Sequence, residues 1–174
     1  MVLGHATTLI SLCAAILALT VLPGLPLTSA AAQEFTAGNA LVNDSAYAIG
    51  RERWKEAVDL AEKALRSGEL TFDSLPPAYN NLCIGLTGQR LYSDAIRACD
   101  KAVEMKPRTW SFYNNRANVY FYLGNFDRAL AEYYKAMTFN SSSAVLMHNI
   151  GVTLEYRKHR SRRLESLSQP EKSS

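Results

Sequence analysis

The residue types best suited to catalysis or metal binding are few and widely separated in this sequence. Its three histidines, His5, His148 and His159, have no second histidine at metal-ligand spacing. Cys83 and Cys99 lie outside any C-x-x-C context, and no glycine-rich phosphate loop occurs. We therefore expect no metal, no cofactor and no small-molecule substrate, and an enzyme is the interpretation that the sequence favours least.

Asparagines, in contrast, recur at a fixed spacing of 34 residues. Asn81, Asn115 and Asn149 form this series, and each directly follows a second polar residue: Asn80, Asn114 and His148. A side-chain amide both donates and accepts hydrogen bonds, so a column of amides can pair with the backbone of an extended peptide. Alternatively, these amides bond to neighbouring elements and only hold the fold together.

The elements that must position these asparagines repeat with the same period. The run YNNLCIGLTGQRLYSDAIRACDKAVEMKP from Tyr79 is followed by YNNRANVYFYLGNFDRALAEYYKAMTFNS from Tyr113. In each copy, apolar and small residues at spacings of three and four predict two helices on either side of a short polar break. The two helices are expected to pack as an antiparallel hairpin, and Pro107 to end the first copy.

These two copies resemble the tetratricopeptide repeat family. The positions that carry the resemblance are Tyr79, Leu82, Cys83, Leu86, Ala95, Cys99 and Pro107 in the first copy, and Tyr113, Arg116, Ala117, Tyr120, Ala129, Tyr133 and Ser141 in the second. Arg116 departs from the expected leucine, Cys99 from an aromatic residue and Ser141 from proline. The resemblance implies an all-α, right-handed superhelical solenoid of antiparallel hairpins, with about three repeats and a closing helix.

The rest of the chain extends this array at both ends. Residues 35–74 are predicted to form a degenerate first repeat, in which Asp44 occupies a leucine position; residues 75–108 and 109–142 form the two clear repeats. Residues 143–165 are predicted as a closing helix with a basic end, and residues 166–174 as a disordered tail. Residues 157–174 contain six basic and two acidic side chains, a net charge of +4, whereas residues 33–156 contain 13 and 14.

The first 32 residues carry no Asp, Glu, Lys or Arg, and residues 9–22 are almost wholly apolar. Together with the small residues Ala30, Ala31 and Ala32, this pattern predicts a secretory signal peptide over residues 1–32, cleaved before Gln33. The protein is then expected to be exported and periplasmic. The alternative is an uncleaved membrane anchor formed by residues 9–27.

The resemblance implies a non-catalytic adaptor that binds an extended peptide segment of a protein partner in the concave groove lined by the first helix of each hairpin. The candidate peptide-binding residues are Asn80, Asn81, Asn114, Asn115, Asn118, Tyr122, His148 and Asn149. The Lys and Arg clamp that related proteins use for a chaperone's terminal carboxylate is absent, because the matching positions hold asparagines, Ser111, Val42 and Ala46.

Two other interpretations remain open at this point. The chain can be a self-associating scaffold, or its basic C-terminal tail can bind an anionic surface, a membrane more readily than a nucleic acid, because clustered positive charge attracts phosphate. Cys83 and Cys99 lie on helix faces that should meet. In an oxidising compartment they can form a disulfide, and otherwise they are two small buried thiols.

Overall fold

The computed structural model describes residues 30–168, and side chains from Gly38 onward. In this part of the chain there are seven α-helices and no strand. Their order is α1 (Ala30–Gly50), α2 (Trp54–Ser67), α3 (Leu75–Gly88), α4 (Tyr92–Met105), α5 (Trp110–Tyr122), α6 (Phe126–Met137) and α7 (Ala144–Ser168). Each helix packs on the next, and α3 also touches α5. The predicted all-α repeat superhelix is confirmed, with α1, α3, α5 and α7 as the first helices of the repeats.

The three hairpins close with the same backbone turn. In each, one residue adopts the left-handed conformation, with φ values of 56°, 63° and 72° at Glu52, Arg90 and Gly124. The N–H of the next residue then donates to a carbonyl five positions earlier, at 2.9 Å in all three turns. Only the third turn uses glycine, the residue that adopts this conformation without steric cost.

Alanine sets the distance between the two helices of each hairpin. Ala57, Ala95 and Ala129 are the fourth residues of the second helices and have no exposed surface. A second buried alanine follows seven residues later in each case, at Ala64, Ala102 and Ala136. Small side chains at these crossing points allow the two helices to approach closely, so the remaining apolar side chains pack around them.

The first hairpin keeps this arrangement despite its weaker sequence pattern. Ser45 is fully buried, and its hydroxyl donates a 2.8 Å hydrogen bond to the Ala57 carbonyl of α2. Asp44, which stands at the leucine position, is exposed. Val42 packs with Ala64 and Ala78 to join α1, α2 and α3. Residues 35–74 therefore form a hairpin in which a serine hydrogen bond and small apolar contacts replace the usual apolar stripe.

The last helix, α7, buries Leu146, Ile150 and Thr153 against the preceding repeat. It continues to Ser168, so residues 166–168, predicted as the start of a disordered tail, are helical. The difference has a simple cause: the first helix-breaking residue after Gly151 is Pro170, which disfavours helix at the residue before it.

The predicted signal peptide falls mostly outside the described residues, as does the whole of the alternative anchor, residues 9–27. Ala30, Ala31 and Ala32 belong to the first turns of α1. Among residues 30–168, no helix combines the length and the apolar character that crossing a membrane requires.

Candidate functional site

A groove between α3 and α5 contains the main candidate site. It encloses a cavity of about 550 Å³. Its walls are apolar and aromatic side chains with a few polar groups between them: Trp54, Ile84, Thr87, Gly88, Arg90, Tyr92, Asn115, Asn118 and Tyr122. Apolar walls with a small number of placed polar groups are typical of binding sites. Arg90 is the only charged residue of this lining.

Two tyrosines from successive hairpins form one side of the groove. The rings of Tyr92 and Tyr122 are stacked, with centroids 6.3 Å apart and planes within 7° of parallel. Tyr122 nevertheless keeps 61% of its surface exposed. Behind it, Phe121 packs edge-on against Tyr122 and against Tyr156 of α7. The second hairpin turn and the end of α5 thus present aromatic surface to the groove, held in place by further aromatic contacts.

The end of α3 is shaped by contact with Trp54. A Cβ atom on Gly88 would overlap the indole ring, so only glycine lets the ring lie directly against the helix backbone. The side-chain amide of Gln89 donates to the Trp54 carbonyl at 3.2 Å. The break Gly88-Gln89-Arg90 in the sequence therefore has two roles: it ends α3, and it positions the indole in the groove.

The candidate asparagines are bonded to one another from helix to helix. Asn149 Nδ2 donates to Asn114 Oδ1 at 2.9 Å, Asn114 Nδ2 to Asn115 Oδ1 at 3.2 Å, and Asn115 Nδ2 to Asn80 Oδ1 at 2.8 Å. This chain of amides, which we call the amide ladder, connects α7, α5 and α3. It gives physical support to the alternative that these residues hold the stack together.

Asn81 continues the same connection to α1. It is only 8% exposed, and its Nδ2 donates a 2.9 Å hydrogen bond to the Val42 carbonyl. Asn114 is buried to the same extent. The peptide-binding role of the series Asn81, Asn115 and Asn149 stays a prediction, and their donor groups are already used between helices.

Asn118 is the candidate amide that lines both cavities of the groove. The Tyr133 hydroxyl donates a 2.6 Å hydrogen bond to Asn118 Oδ1, which fixes the orientation of the amide. Among the described residues, no acceptor bonds to Asn118 Nδ2. Burial raises the pKa of Tyr133 to about 12, with Tyr122 as a second cause, so the phenol remains a proton donor at all physiological pH values.

The remaining candidates lie at the α7 side of the groove. His148 is exposed and, with Asn118, Asn149 and Thr153, lines a smaller cavity of about 190 Å³. Tyr122 borders both cavities. The structure therefore brings Asn115, Asn118, Tyr122, His148 and Asn149 to one continuous face. Within residues 30–168, no cluster of three or more His, Cys, Asp or Glu side chains could hold a metal ion.

Arg116 forms an ion-pair network that sequence reasoning missed. It stands at a leucine position on α5, yet its guanidinium binds Glu132 of α6 at 2.8 Å and Asp100 of α4 at 2.7 Å. Burial lowers the pKa of Arg116, but the hydrogen bonds to Glu132 and Asp100 outweigh this effect and raise it. The available signal was the arginine at an apolar position, since a charged side chain that is partly buried requires charged or hydrogen-bonding partners.

Cys83 and Cys99 are joined as a disulfide in the structure. Their Cα atoms are 5.2 Å apart, well within the range that a disulfide needs, and both side chains are buried. The bond connects α3 and α4 of the second hairpin. Its presence in the protein under cellular conditions stays a prediction that depends on the compartment.

Comparison with known proteins agrees with this geometry. Residues 111–140 match the family described as the tetratricopeptide repeat. Residues 111–140 are therefore a tetratricopeptide repeat, and residues 30–168 have the fold of tetratricopeptide repeat proteins. This fold is a protein-interaction fold that is typically non-catalytic. A search of curated protein sequences gave no significant match.

Solved tetratricopeptide repeat structures are similar over about three quarters of the chain. The first such domain of human RPAP3 is 13% identical with a TM-score of 0.65, covering 74% of this chain and 98% of that one. The first repeat domain of Spaghetti bound to the HSP90 peptide SRMEEVD is 14% identical with a TM-score of 0.60, covering 69% and 92%. The co-chaperone Cns1 from Saccharomyces cerevisiae is 16% identical with a TM-score of 0.70, covering 77% and 43%.

Proposed function

We propose that this repeat protein is a non-catalytic adaptor that binds an extended peptide segment of a partner protein in the groove between α3 and α5. The observation that carries the proposal is Asn118, which lines a cavity of about 550 Å³ and whose Oδ1 accepts from Tyr133, while its Nδ2 donor bonds to no acceptor among the described residues. An extended peptide offers a backbone carbonyl to such a donor at every second residue on one side, because its carbonyls alternate in direction.

The groove lining supports a peptide with an apolar or aromatic side chain. Ile84, Trp54, Tyr92 and Tyr122 provide the surface that such a side chain needs, at little cost in side-chain entropy because the rings are already held by packing. Arg90 at the edge adds one positive charge and favours an acidic residue next to that side chain.

The HSP90 peptide bound by Spaghetti ends in acidic residues and is a poor guide to the ligand here. Asn80, Asn81, Asn114 and Asn115 stand where a basic clamp would be required, and they bond to one another or to backbone. The proposed ligand is therefore an internal, mainly neutral segment and not a chain terminus held by several cations.

The test uses a displayed library of random peptides selected on the purified protein. The affinity of a selected peptide is then measured by fluorescence anisotropy for the protein and two variants. Tyr122→Ala should weaken binding roughly tenfold, because a ring that borders both cavities is lost. Tyr134→Ala is the matched control: this tyrosine lies on α6, away from the groove lining, and is 51% exposed against 61% for Tyr122. Equal loss in both variants, or no peptide selected, would contradict the groove proposal.

Export to the periplasm belongs to the same proposal, since it defines where a partner is found. Its support is the apolar, uncharged N-terminal stretch followed by Ala30, Ala31 and Ala32. N-terminal sequencing of the protein recovered from the envelope fraction tests it. A mature protein beginning at Gln33 agrees with cleavage, whereas an intact N-terminus in the membrane fraction agrees with the anchor.

The basic end of α7 is a weaker candidate for a binding function. Arg157 is paired with Asp127, and Arg160 donates to the Gly124 carbonyl, so these two cations are used within the fold. Lys158, Arg162 and Arg163 are exposed. Affinity for an anionic surface would fall steeply with salt, whereas binding in the groove would change little.

A further inference from the structure

The last helix carries an apolar stripe that its own repeat leaves uncovered. In the third repeat, Tyr113, Ala117 and Tyr120 occupy one stripe of α5, and all three pack into the hairpin core. The residues 34 positions later are Met147, Gly151 and Leu154 on α7. In the described part of the chain, no second helix packs on this stripe.

Exposure confirms that the stripe is open. Met147 is 52% and Leu154 36% exposed, whereas Ala117 is fully buried. A Cβ atom added to Gly151 would have no neighbour within 4 Å. The 34-residue spacing makes α7 equivalent to the first helix of a hairpin whose second helix is not seen among the described residues. Its small residue, Gly151, lies between the two large apolar side chains of Met147 and Leu154.

A second copy of α7 has the complementary shape. In the third hairpin, a small residue of each helix, Ala117 and Ala129, is fully buried in one core. Two α7 helices crossing at Gly151 would likewise place small residues at their closest approach. In an antiparallel arrangement, Leu154 of each copy then meets Met147 of the other, so both large side chains are covered.

The exposed apolar residues of the protein are concentrated on this helix. Six of the twelve large apolar side chains exposed among the described residues belong to α7: Val145, Met147, Leu154, Tyr156, Leu164 and Leu167. Of these, Met147 and Leu154 lie on the open stripe, whereas Tyr156 packs on Phe121 and Phe126. Among the described helices, only α7 presents such a series, so within this chain the best-matching partner for one α7 is another.

Repulsion between basic side chains favours the antiparallel arrangement of the two α7 helices. Five cations lie between Arg157 and Arg163, at the C-terminal end of α7, and would repel each other in a parallel pair. In an antiparallel pair that crosses at Gly151, each basic end instead lies beside the connection between α6 and α7 of the other copy. Residues 138–143 of that connection carry no charge.

We propose that two copies of this protein associate through α7, in an antiparallel, two-fold symmetric contact centred on Gly151 and formed by Met147 and Leu154. The contact lies on a different face of α7 from His148 and Asn149, which border the groove. Dimerisation and peptide binding are therefore compatible, and a dimer would present two grooves.

The first test is the molar mass of the purified protein by light scattering and sedimentation over a wide concentration range. We expect a dimer that dissociates on dilution. Met147→Glu combined with Leu154→Glu should weaken the dimer, so that it dissociates at roughly tenfold higher concentration or more, because like charges then meet across the contact. Circular dichroism should be unchanged, because both side chains are exposed in the single copy. A protein that is monomeric throughout, or a dimer that persists in this variant, would overturn the proposal.

The second test locates the symmetry axis with one unpaired cysteine per chain, since Cys83 and Cys99 are joined to each other. In a background with Cys13→Ser, Gly151→Cys should form a disulfide between copies on mild oxidation, because each cysteine faces its own equivalent across the axis. Lys63→Cys, exposed on α2, is the matched control. Cross-linking of the control to the same extent would show random collision, and failure of Gly151→Cys alone would exclude the proposed crossing point.

Discussion

The Tyr133 hydroxyl donates a 2.6 Å hydrogen bond to Asn118 Oδ1, and this contact connects the packing of α6 on α5 within the third hairpin to an amide that lines the groove. Tyr133 is only 2% exposed and stands at the aromatic core position of its repeat. Asn118 borders both cavities of the candidate site. The same phenol that fills the core therefore engages the oxygen of an amide that lines the candidate site.

The free energy of unfolding in alkaline solution should depend on the ionisation of the Tyr133 phenol. Because burial raises the pKa of Tyr133 to about 12, the unfolded chain loses the phenolic proton near pH 10, before the folded protein does. The protonated phenol therefore contributes about 2–3 kcal/mol to the free energy of unfolding below pH 10, and this contribution is lost as the pH rises through 12. Urea unfolding across this range should show a smaller decline for Tyr133→Phe than for the wild type. Parallel declines would show that Tyr133 does not titrate as a buried group.

Removal of the amide that joins α1 to α3 should destabilise the protein. Asn81→Ala deletes the hydrogen bond to the Val42 carbonyl at a buried site, so we expect a loss of about 1–2 kcal/mol in the free energy of unfolding. Asn43→Ala, an exposed asparagine on α1, is the control and should change it by less than about 0.5 kcal/mol. If the two variants changed the free energy of unfolding by similar amounts, Asn81 would not have the structural role proposed here.

A methyl group on Gly88 should disturb the groove more than its size suggests. Gly88→Ala places a Cβ atom within the Trp54 ring, so the indole must move, at a cost of about 1–3 kcal/mol. Gly50→Ala is the control, because a Cβ atom there has no neighbour within 4 Å. Thermal unfolding measures the stability. Trp54 fluorescence, recorded in a Trp110→Phe background so that Trp54 is the only indole of the chain, measures the environment of the ring. An unshifted emission spectrum in Gly88→Ala would mean that the ring does not lie against α3.

Glycine in the first hairpin turn should stabilise the protein. Glu52 has a φ of 56°, which strains any residue with a Cβ atom. Glu52→Gly should therefore raise the free energy of unfolding by up to about 1 kcal/mol, the strain being partly offset by the flexibility of glycine in the unfolded chain. Gly124→Ala should lower it by a similar amount, since Gly124 has a φ of 72° at the equivalent position. If the free energy of unfolding rose in both variants, or fell in both, the first and third hairpin turns would not share the same backbone conformation.

The disulfide should contribute strongly to stability when it is present. Cys83 and Cys99 are 16 residues apart, and closing a loop of that length stabilises the folded state by about 3 kcal/mol. A reductant should lower the unfolding midpoint of the wild type, whereas Cys99→Ala should be insensitive to it. Mass spectrometry of non-reduced peptide fragments detects the bond directly. Identical midpoints with and without reductant would mean that the thiols are not joined.

The all-α repeat fold could be predicted because the 34-residue period and the buried alanines are local signals. Ala95 and Ala129 occur at the same place in each copy and are fully buried. The first hairpin was harder to predict, since its stability depends on contacts between distant residues. The hydrogen bond from Ser45 to the Ala57 carbonyl, for example, cannot be predicted from the spacing of apolar residues.

The candidate site was predicted only in outline for a similar reason. Spacing placed Asn115 and Asn149 on one face, but it could not distinguish an amide that faces a ligand from one that bonds to the next helix. That distinction depends on distances of about 3 Å across helix boundaries, which the sequence does not encode locally. Arg116 shows the same limit, because its partners Asp100 and Glu132 lie 16 residues away in opposite directions.

The amide ladder also has a consequence for how the stack opens. Each boundary between successive first helices is crossed by one amide: Asn81 to Val42, Asn115 to Asn80, and Asn149 to Asn114. In repeat arrays, the coupling between neighbours decides whether units melt one at a time or together. A regular series of directional bonds at every boundary strengthens that coupling. We therefore expect backbone amides in α3 and α5 to exchange with solvent at a common rate, set by unfolding of the whole array, instead of in a gradient from either end.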